Sequence, residues 1–269
     1  MQLVSPSLTI MTGPSTNRRV NVLGVGITPL RTKETLQLMA SAIAEGAKGY
    51  ICVTGVHGVM EAQTDDNLRA IINRSLLTTA DGRPTVWVGW LQGFHKMMQI
   101  TGPDLMLHVC AESVEKRYTH FFYGGDVGVA EQLKANLEQK FPGLQVIGTY
   151  TPPFRPLNSE EERELQELVA RLKPDMFWVG LSTPKQERFM AEYLSKLDTR
   201  LMIGVGAAFD IHTGRIKDSP DWLQALGLQW VHRLCQEPRR LWRRYLYNNP
   251  RFIVRITSQL LKLKKYELA

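Results

Sequence analysis

Asp175-Met176-Phe177-Trp178-Val179-Gly180-Leu181, followed at once by Ser182-Thr183-Pro184-Lys185-Gln186, decides how the rest of this chain is read. The first run is apolar almost throughout and rich in bulky side chains, which suits a strand buried on both faces. The period then changes. Pro184 at a first helical position, inside a Thr-x-x-Gln capping box of Thr183 and Gln186, predicts a helix over 184–197. A buried strand running straight into a helix is half of a βαβ unit, and the same alternation recurs outward in both directions. Runs at 20–25, 49–54, 119–123, 145–149 and 200–205 read as strands, and 32–48, 58–74, 127–141 and 159–172 as helices. Asn158 or Ser159 caps an acidic first turn at 160–162, while Pro142-Gly143 and Pro174 mark returns to the sheet. The fold class is therefore α/β, with a largely parallel sheet flanked by helices and no internal repeat.

The chain has 269 residues, enough for one large α/β domain and an appendage. Its 43% hydrophobic and 22% charged residues exclude a wholly disordered protein. No stretch reaches the roughly 18–20 apolar residues of a membrane span. Residues 1–19 are rich in Ser, Thr and Pro and lack the basic-then-apolar order of a signal peptide, so they read as a flexible leader on a cytoplasmic protein. Cys52, Cys110 and Cys235 lie far apart, which excludes a zinc ribbon or disulfide framework and predicts reduced thiols.

The net charge of +7 is concentrated in the tail. Residues 230–269 carry ten Lys or Arg against Glu237 and Glu267, a net +8, and the other 229 residues sum to −1. The tail's partner should be anionic: a phosphate, a diphosphate, an anionic lipid or a nucleic acid. Composition changes near Ser219-Pro220, giving a leader at 1–19, an α/β core at 20–219 and a basic helical appendage at 220–269. In the appendage Trp222, Trp230, Trp242, Tyr245 and Tyr247 interleave with arginines, and Glu237-Pro238 and Asn249-Pro250 are expected to cut it into short helices. Residues 251–266 place Phe252, Ile253, Ile256, Leu260 and Leu263 on one face, with Arg255, Gln259 and Lys262 largely opposite, as in an amphipathic basic helix.

Ligands of parallel sheets bind beyond the carboxyl ends of the strands. Four such loops stand out. Thr54-Gly55-Val56-His57-Gly58 is a flexible turn into a helix. In Thr79-Ala80-Asp81-Gly82, Asp81 has the accessible setting of a general base, although spacing alone favours a plain Asp-Gly turn. Tyr123-Gly124-Gly125-Asp126 could lay N–H groups against a phosphate, or simply join strand to helix. Gly204-Val205-Gly206-Ala207-Ala208-Phe209-Asp210 begins like a dinucleotide fingerprint, but Phe209 stands at the third glycine, and Gly24-Val25-Gly26 fails likewise, so an NAD(P) site is excluded. Asp-x-Asp, a phosphate-binding P-loop and a Gly-x-Ser-x-Gly elbow are all missing from the sequence, and the six histidines fall in no metal spacing, so no metal is expected. Most of these histidines read as ordinary surface or partly buried residues. Arg240 and Arg243, with Arg233 two turns upstream, could converge on a diphosphate or form a solvated basic face.

Taken together, these segments resemble the WecG/TagA/CpsF glycosyltransferases, glycosyltransferase family 26. The resemblance rests on the order of Asn21-Val22-Leu23-Gly24-Val25, Thr79-Ala80-Asp81-Gly82, Thr101-Gly102-Pro103-Asp104-Leu105, Tyr123-Gly124-Gly125, Gly180 through Glu187, and Gly204-Val205-Gly206 with Phe209-Asp210. Gly227-Leu228-Gln229-Trp230, Arg233-Leu234 and Glu237-Pro238-Arg239-Arg240 complete it. It implies a Rossmann-like core and a metal-independent, inverting transfer from a UDP-sugar, typically of N-acetylmannosamine, to a polyprenyl-diphosphate-linked sugar at the inner face of the cytoplasmic membrane. By position it implies Asp81 as catalytic base, Thr54 as an active-site threonine and Gln186 near the sugar. Arg233, Arg240 and Arg243 would hold the lipid diphosphate. The sequence departs from the family pattern at Val56 for Asn, Gln99 for Arg and Gln229 for Glu.

The expected partners are thus a UDP-sugar, a lipid-linked acceptor and an anionic membrane surface, with no cofactor. N–H groups of the turns at 124–125 and 204–206 are expected to stabilise the leaving UDP, and Asp210 to bind substrate. Three rivals are a transferase of the same family using another hexose, a nucleotide-sugar-binding protein without turnover, and a nucleic-acid-binding protein. The core offers no recognised nucleic-acid module to support the last.

Overall fold

A computed structural model describes residues 19–268. The leader lies outside these residues, apart from Arg19. The chain opens with strands β1 (Val20–Val22) and β2 (Val25–Ile27), then α1 (Thr32–Ala44), β3 (Gly49–Thr54), α2 (Val56–Glu61), α3 (Asp66–Arg74) and β4 (Leu77–Ala80). Next come α4 (Arg83–Leu91), α5 (Gly102–Lys116), β5 (Thr119–Gly124), α6 (Val129–Lys140), β6 (Gln145–Tyr150) and α7 (Ser159–Leu172). The remainder is β7 (Met176–Gly180), α8 (Lys185–Tyr193), β8 (Leu201–Gly204), α9 (Ala208–His212), α10 (Asp221–Ala225), α11 (Gln229–Gln236) and α12 (Pro238–Leu260).

Strands β3 to β8 form one parallel sheet in the order β4-β3-β8-β7-β5-β6, a Rossmann-like arrangement. The alternation of side chains along each strand divides the core in two. Tyr50, Cys52, Phe121, Tyr123, Phe177, Val179 and Met202 face one helical layer. Ile51, Val53, Phe122, Met176, Trp178, Leu201 and Ile203 face the other. Burial on both sides is why the strands read as unbroken apolar runs. Because all six strands are parallel, Thr54, Ala80, Gly124, Tyr150, Gly180 and Gly204 end at the same edge of the sheet.

Several local expectations are corrected. The 20–25 run is a two-stranded antiparallel hairpin: Leu23 and Gly24 take left-handed conformations (φ 54° and 83°) and Asn21 Oδ1 accepts from the Gly24 N–H at 2.8 Å. The 58–74 helix is two helices, because Asp65 caps a new start by accepting from the Leu68 N–H at 3.0 Å. Thr183 does not cap α8. Its hydroxyl donates to Glu187 Oε1 at 2.9 Å, and the helix begins after Pro184. Pro250 does not end a helix but lies within α12; it sits on the exposed side, where water can satisfy the carbonyl it frees. Residues 77–80, read as loop, form an edge strand, and α4 and α5 went unread.

The tail is not uniformly an outer layer. Phe252 and Ile256 are buried in the same cluster as Tyr50 and Cys52, with Leu260 packed against it. Gln259, expected on the polar face, grips the β1–β2 hairpin instead: its Oε1 accepts from the Leu23 N–H at 2.8 Å and its Nε2 donates to Asn21 O at 2.7 Å. Each buried apolar side chain contributes about 1.5–3 kcal/mol to that attachment.

Candidate active site

The carboxyl edge of the sheet opens into a cleft of about 990 Å³, roofed by α11 and α12. On its floor, β3 and β4 end side by side, and the Asp81 N–H donates to Thr54 O at 3.1 Å. This bond fixes the turn after β4, so that the Asp81 side chain lines the cleft. Thr54 lines it too; its Oγ1 is buried and has no hydrogen-bond partner among the described residues. The Asp-Gly sequence is therefore both a turn and a cleft-facing carboxylate.

Burial pushes the Asp81 carboxyl up to about 7. Arg233, the Gly102 N–H at the start of α5, and Arg244 pull the other way by favouring the anion. A carboxylate that exchanges its proton near neutrality, open to a cavity, is suited to general-base chemistry.

The roof is built of arginines. Arg233 and Arg240 share Glu237, at 3.2 and 2.5 Å, and both line the cleft. Arg243 does not. It lies over Trp242, 5.2 Å from the ring, on the wall of a separate depression of about 580 Å³ between α2 and α12. Its neighbour Arg244 lines both that depression and the cleft, within electrostatic reach of Asp81. The physical reason is the helical repeat: consecutive residues differ by about 100° around the axis, so the two arginines meet different surroundings. The sequence doublet Arg243-Arg244 carries the signal, but its spacing does not say which member turns in.

The glycine turns serve differently from expectation. Gly125 and Gly206 line the cleft, but the Gly125 N–H donates to Gly180 O at 3.2 Å and the Gly206 N–H to Gln186 Oε1 at 2.9 Å. Both donors are therefore already engaged. Gly124 and Gly204 stay within their strands. A Cβ on Gly124 would stand 2.6 Å from Gly180 O, and one on Gly204 would stand 3.1 Å from the Gln186 side chain. Their role is close packing, which only glycine permits.

Gln186 is 2% exposed and reaches the cleft with its amide tied at both ends. Besides accepting from Gly206, it donates through Nε2 to Glu187 Oε1 at 3.0 Å. Asp210 lines the cleft too, where burial raises its carboxyl and Arg215 opposes the shift. Val56, Gln99 and Gln229 all line the cleft as well.

His57, read as an ordinary histidine, is a bridge. Its Nδ1 lies 3.3 Å from Asn248 Nδ2 of α12, and a further bond joins the ring to the Thr183 backbone. Burial, reinforced by Arg244, lowers it to about 3, so the ring is neutral and its 3.5 Å approach to Glu61 is not an ion pair. Among the described residues, no three His, Cys, Asp or Glu side chains group as metal ligands. No described helix is long and apolar enough to cross a membrane.

Residues 20–266 match the family described as Glycosyl transferase WecG/TagA/CpsF family. Two curated relatives carry the name N-acetylglucosaminyldiphosphoundecaprenol N-acetyl-beta-D-mannosaminyltransferase. The protein from Bacillus spizizenii (strain ATCC 23059 / NRRL B-14472 / W23) is 28% identical over 210 residues, covering 78% of this chain and 79% of the relative. That from Bacillus subtilis (strain 168) is 27% identical over 176 residues, covering 65% and 66% respectively.

Proposed function

This chain belongs to the WecG/TagA/CpsF family and is a glycosyltransferase, and we propose that it transfers a hexose or N-acetylhexosamine, of the N-acetylmannosamine type, from a UDP-sugar to a polyprenyl-diphosphate-linked sugar. The transfer inverts the anomeric centre, needs no metal and serves cell-surface polysaccharide synthesis. The acceptor class is supported by the names of the two relatives. The observation that carries the chemistry is the placing of Asp81 beneath Arg233 and Arg240 in one cleft at the carboxyl edge of the sheet.

In this reading Asp81 takes the proton of the acceptor hydroxyl as its oxygen attacks the anomeric carbon. The new C–O bond forms on the face opposite the breaking bond, and UDP departs with the electron pair. Guanidinium groups offset the charge that develops on the leaving group and hold the diphosphate of the acceptor, a task for which planar bidentate donors are well shaped. Thr54, with its unsatisfied hydroxyl, and Asp210, which also lines the cleft, are suited to bind sugar or ribose hydroxyls.

The tail links this chemistry to a membrane surface. Since Phe252 and Ile256 face the core, lipid contact belongs to the opposite side of α12, where Trp242, Leu246, Tyr247 and Val254 are exposed beside Arg243. Aromatic and basic residues on such a face suit an anionic headgroup layer and a peripheral location at the inner face of the cytoplasmic membrane.

A second reading keeps the reaction and changes the sugar. It is favoured by Val56 and Gln99, which line the cleft where the family pattern has Asn and Arg. UDP release across a panel of UDP-sugars, with a polyprenyl-diphosphate-linked acceptor, tests both readings. Turnover with N-acetylmannosamine supports the first and turnover with another hexose the second. No release with any donor contradicts both.

A further inference from the structure

We propose that Arg83 and Arg244, together with Arg233, form a cradle for a diphosphate at the Asp81 end of the cleft, a deepening that rests on the glycosyltransferase reading above. Three guanidinium Nε atoms, those of Arg83, Arg233 and Arg244, are buried without a hydrogen-bond partner among the described residues. All three side chains line the same cavity. A buried N–H left unmade is costly, and a charged one more so, which makes three in one cavity the imprint of an absent acceptor.

The local charge balance points to an anion. Glu237 is already shared by Arg233 and Arg240, and Arg244 has neither ion pair nor hydrogen bond among the described residues. Asp81 and Glu187 both lie within electrostatic reach of Arg244 but neither pairs with it, and His57 is neutral. Arg83 and Arg244 therefore line the cavity with no carboxylate at ion-pair distance among the described residues. Arg83 enters from the floor, two residues after Asp81 at the start of α4, beneath the Gly227 turn that carries the roof. Arg244 enters from α12. An anion held between them joins floor to roof, with five N–H donors on each guanidinium available in planar pairs.

The cradle also couples binding to the base. Arg244 stabilises the Asp81 anion when the site is empty. A diphosphate that neutralises Arg244 makes Asp81 a stronger base, so that the base gains strength as substrate arrives. Both the departing nucleotide and the lipid-linked acceptor present this group, and separate probes tell them apart.

The test is calorimetric titration of the full chain with inorganic pyrophosphate, UDP and farnesyl diphosphate, comparing wild type with Arg83→Gln, Arg244→Gln and Arg244→Lys, and with Arg171→Gln on exposed α7 as a charge control. Both glutamine variants should lose about 10- to 100-fold in affinity for at least one probe, the worth of a charge-assisted contact. Loss for UDP assigns the cradle to the donor, and loss for farnesyl diphosphate to the acceptor. Arg244→Lys should recover only part of the affinity. The melting temperature without ligand should hold or rise in the glutamine variants, since uncompensated charge is removed. Arg244→Gln should also move the acid limb of kcat/KM to higher pH. Wild-type affinity in both glutamine variants, or a fall in melting temperature with affinity unchanged, overturns the cradle. Wild type that binds pyrophosphate but neither UDP nor farnesyl diphosphate keeps the cradle and overturns the proposed function.

Discussion

Gln186 Oε1 accepts from the backbone N–H of Gly206 at 2.9 Å, so one amide ties the start of α8 to the turn after β8. Glu187, itself 1% exposed, holds the other end of that amide and the Thr183 hydroxyl. Gln186→Ala should leave a backbone donor and a buried carboxylate short of partners, at a cost of about 1–3 kcal/mol. Chemical denaturation checks this. Stability and activity should fall together, whereas an activity loss at unchanged stability would assign Gln186 to direct contact with sugar.

Asp81 makes the fold pH-sensitive in a defined direction. Its carboxyl, raised to about 7 by burial, binds a proton more tightly than the unfolded chain does. The resulting destabilisation is absent below about pH 4, grows between about pH 4 and 7 and is complete above that. Asp81→Asn removes it. The variant should therefore melt higher than wild type at pH 8, with the gap closing toward pH 4. A gap that widens as pH falls would contradict the sign.

The two faces of α12 should separate under mutation. Phe252→Ala opens the core and should cost about 3–5 kcal/mol. A Trp242→Ser, Leu246→Ser, Val254→Ser triple variant changes exposed residues and should leave stability within about 1 kcal/mol while losing co-sedimentation with anionic vesicles. Vesicle binding that survives the triple variant would remove α12 as the membrane face.

Activity should persist in EDTA, because arginines rather than a cation are assigned to the departing diphosphate. Inactivation by EDTA, reversed by Mn²⁺ or Mg²⁺, would overturn that assignment.

The sheet was legible wherever strands are buried on both faces, since such runs leave a continuous apolar trace. Leu77–Ala80 escaped because a four-residue edge strand carrying two threonines leaves no such trace. The apolar side of the last helix was visible, but its target was not: Phe252 and Ile256 meet the core, a long-range contact that composition cannot specify. At the site, Asp81 and Arg233 were readable from the resemblance. Arg83 and Arg244 were not, because a buried Nε without a partner is a property of packing. That Arg244 lines the cleft and Arg243 does not shows the limit of spacing arguments on a helix, where a one-residue step changes what a side chain meets.

The most direct measurement is kcat for UDP release with a lipid-diphosphate acceptor, wild type against Asp81→Asn, from pH 5 to 9. The wild type should gain activity as pH rises through about 7, with the variant roughly 10²- to 10⁴-fold slower at every pH and its UDP affinity nearly intact. An Asp81→Asn enzyme with wild-type kcat would show that the proton goes elsewhere and contradict the account.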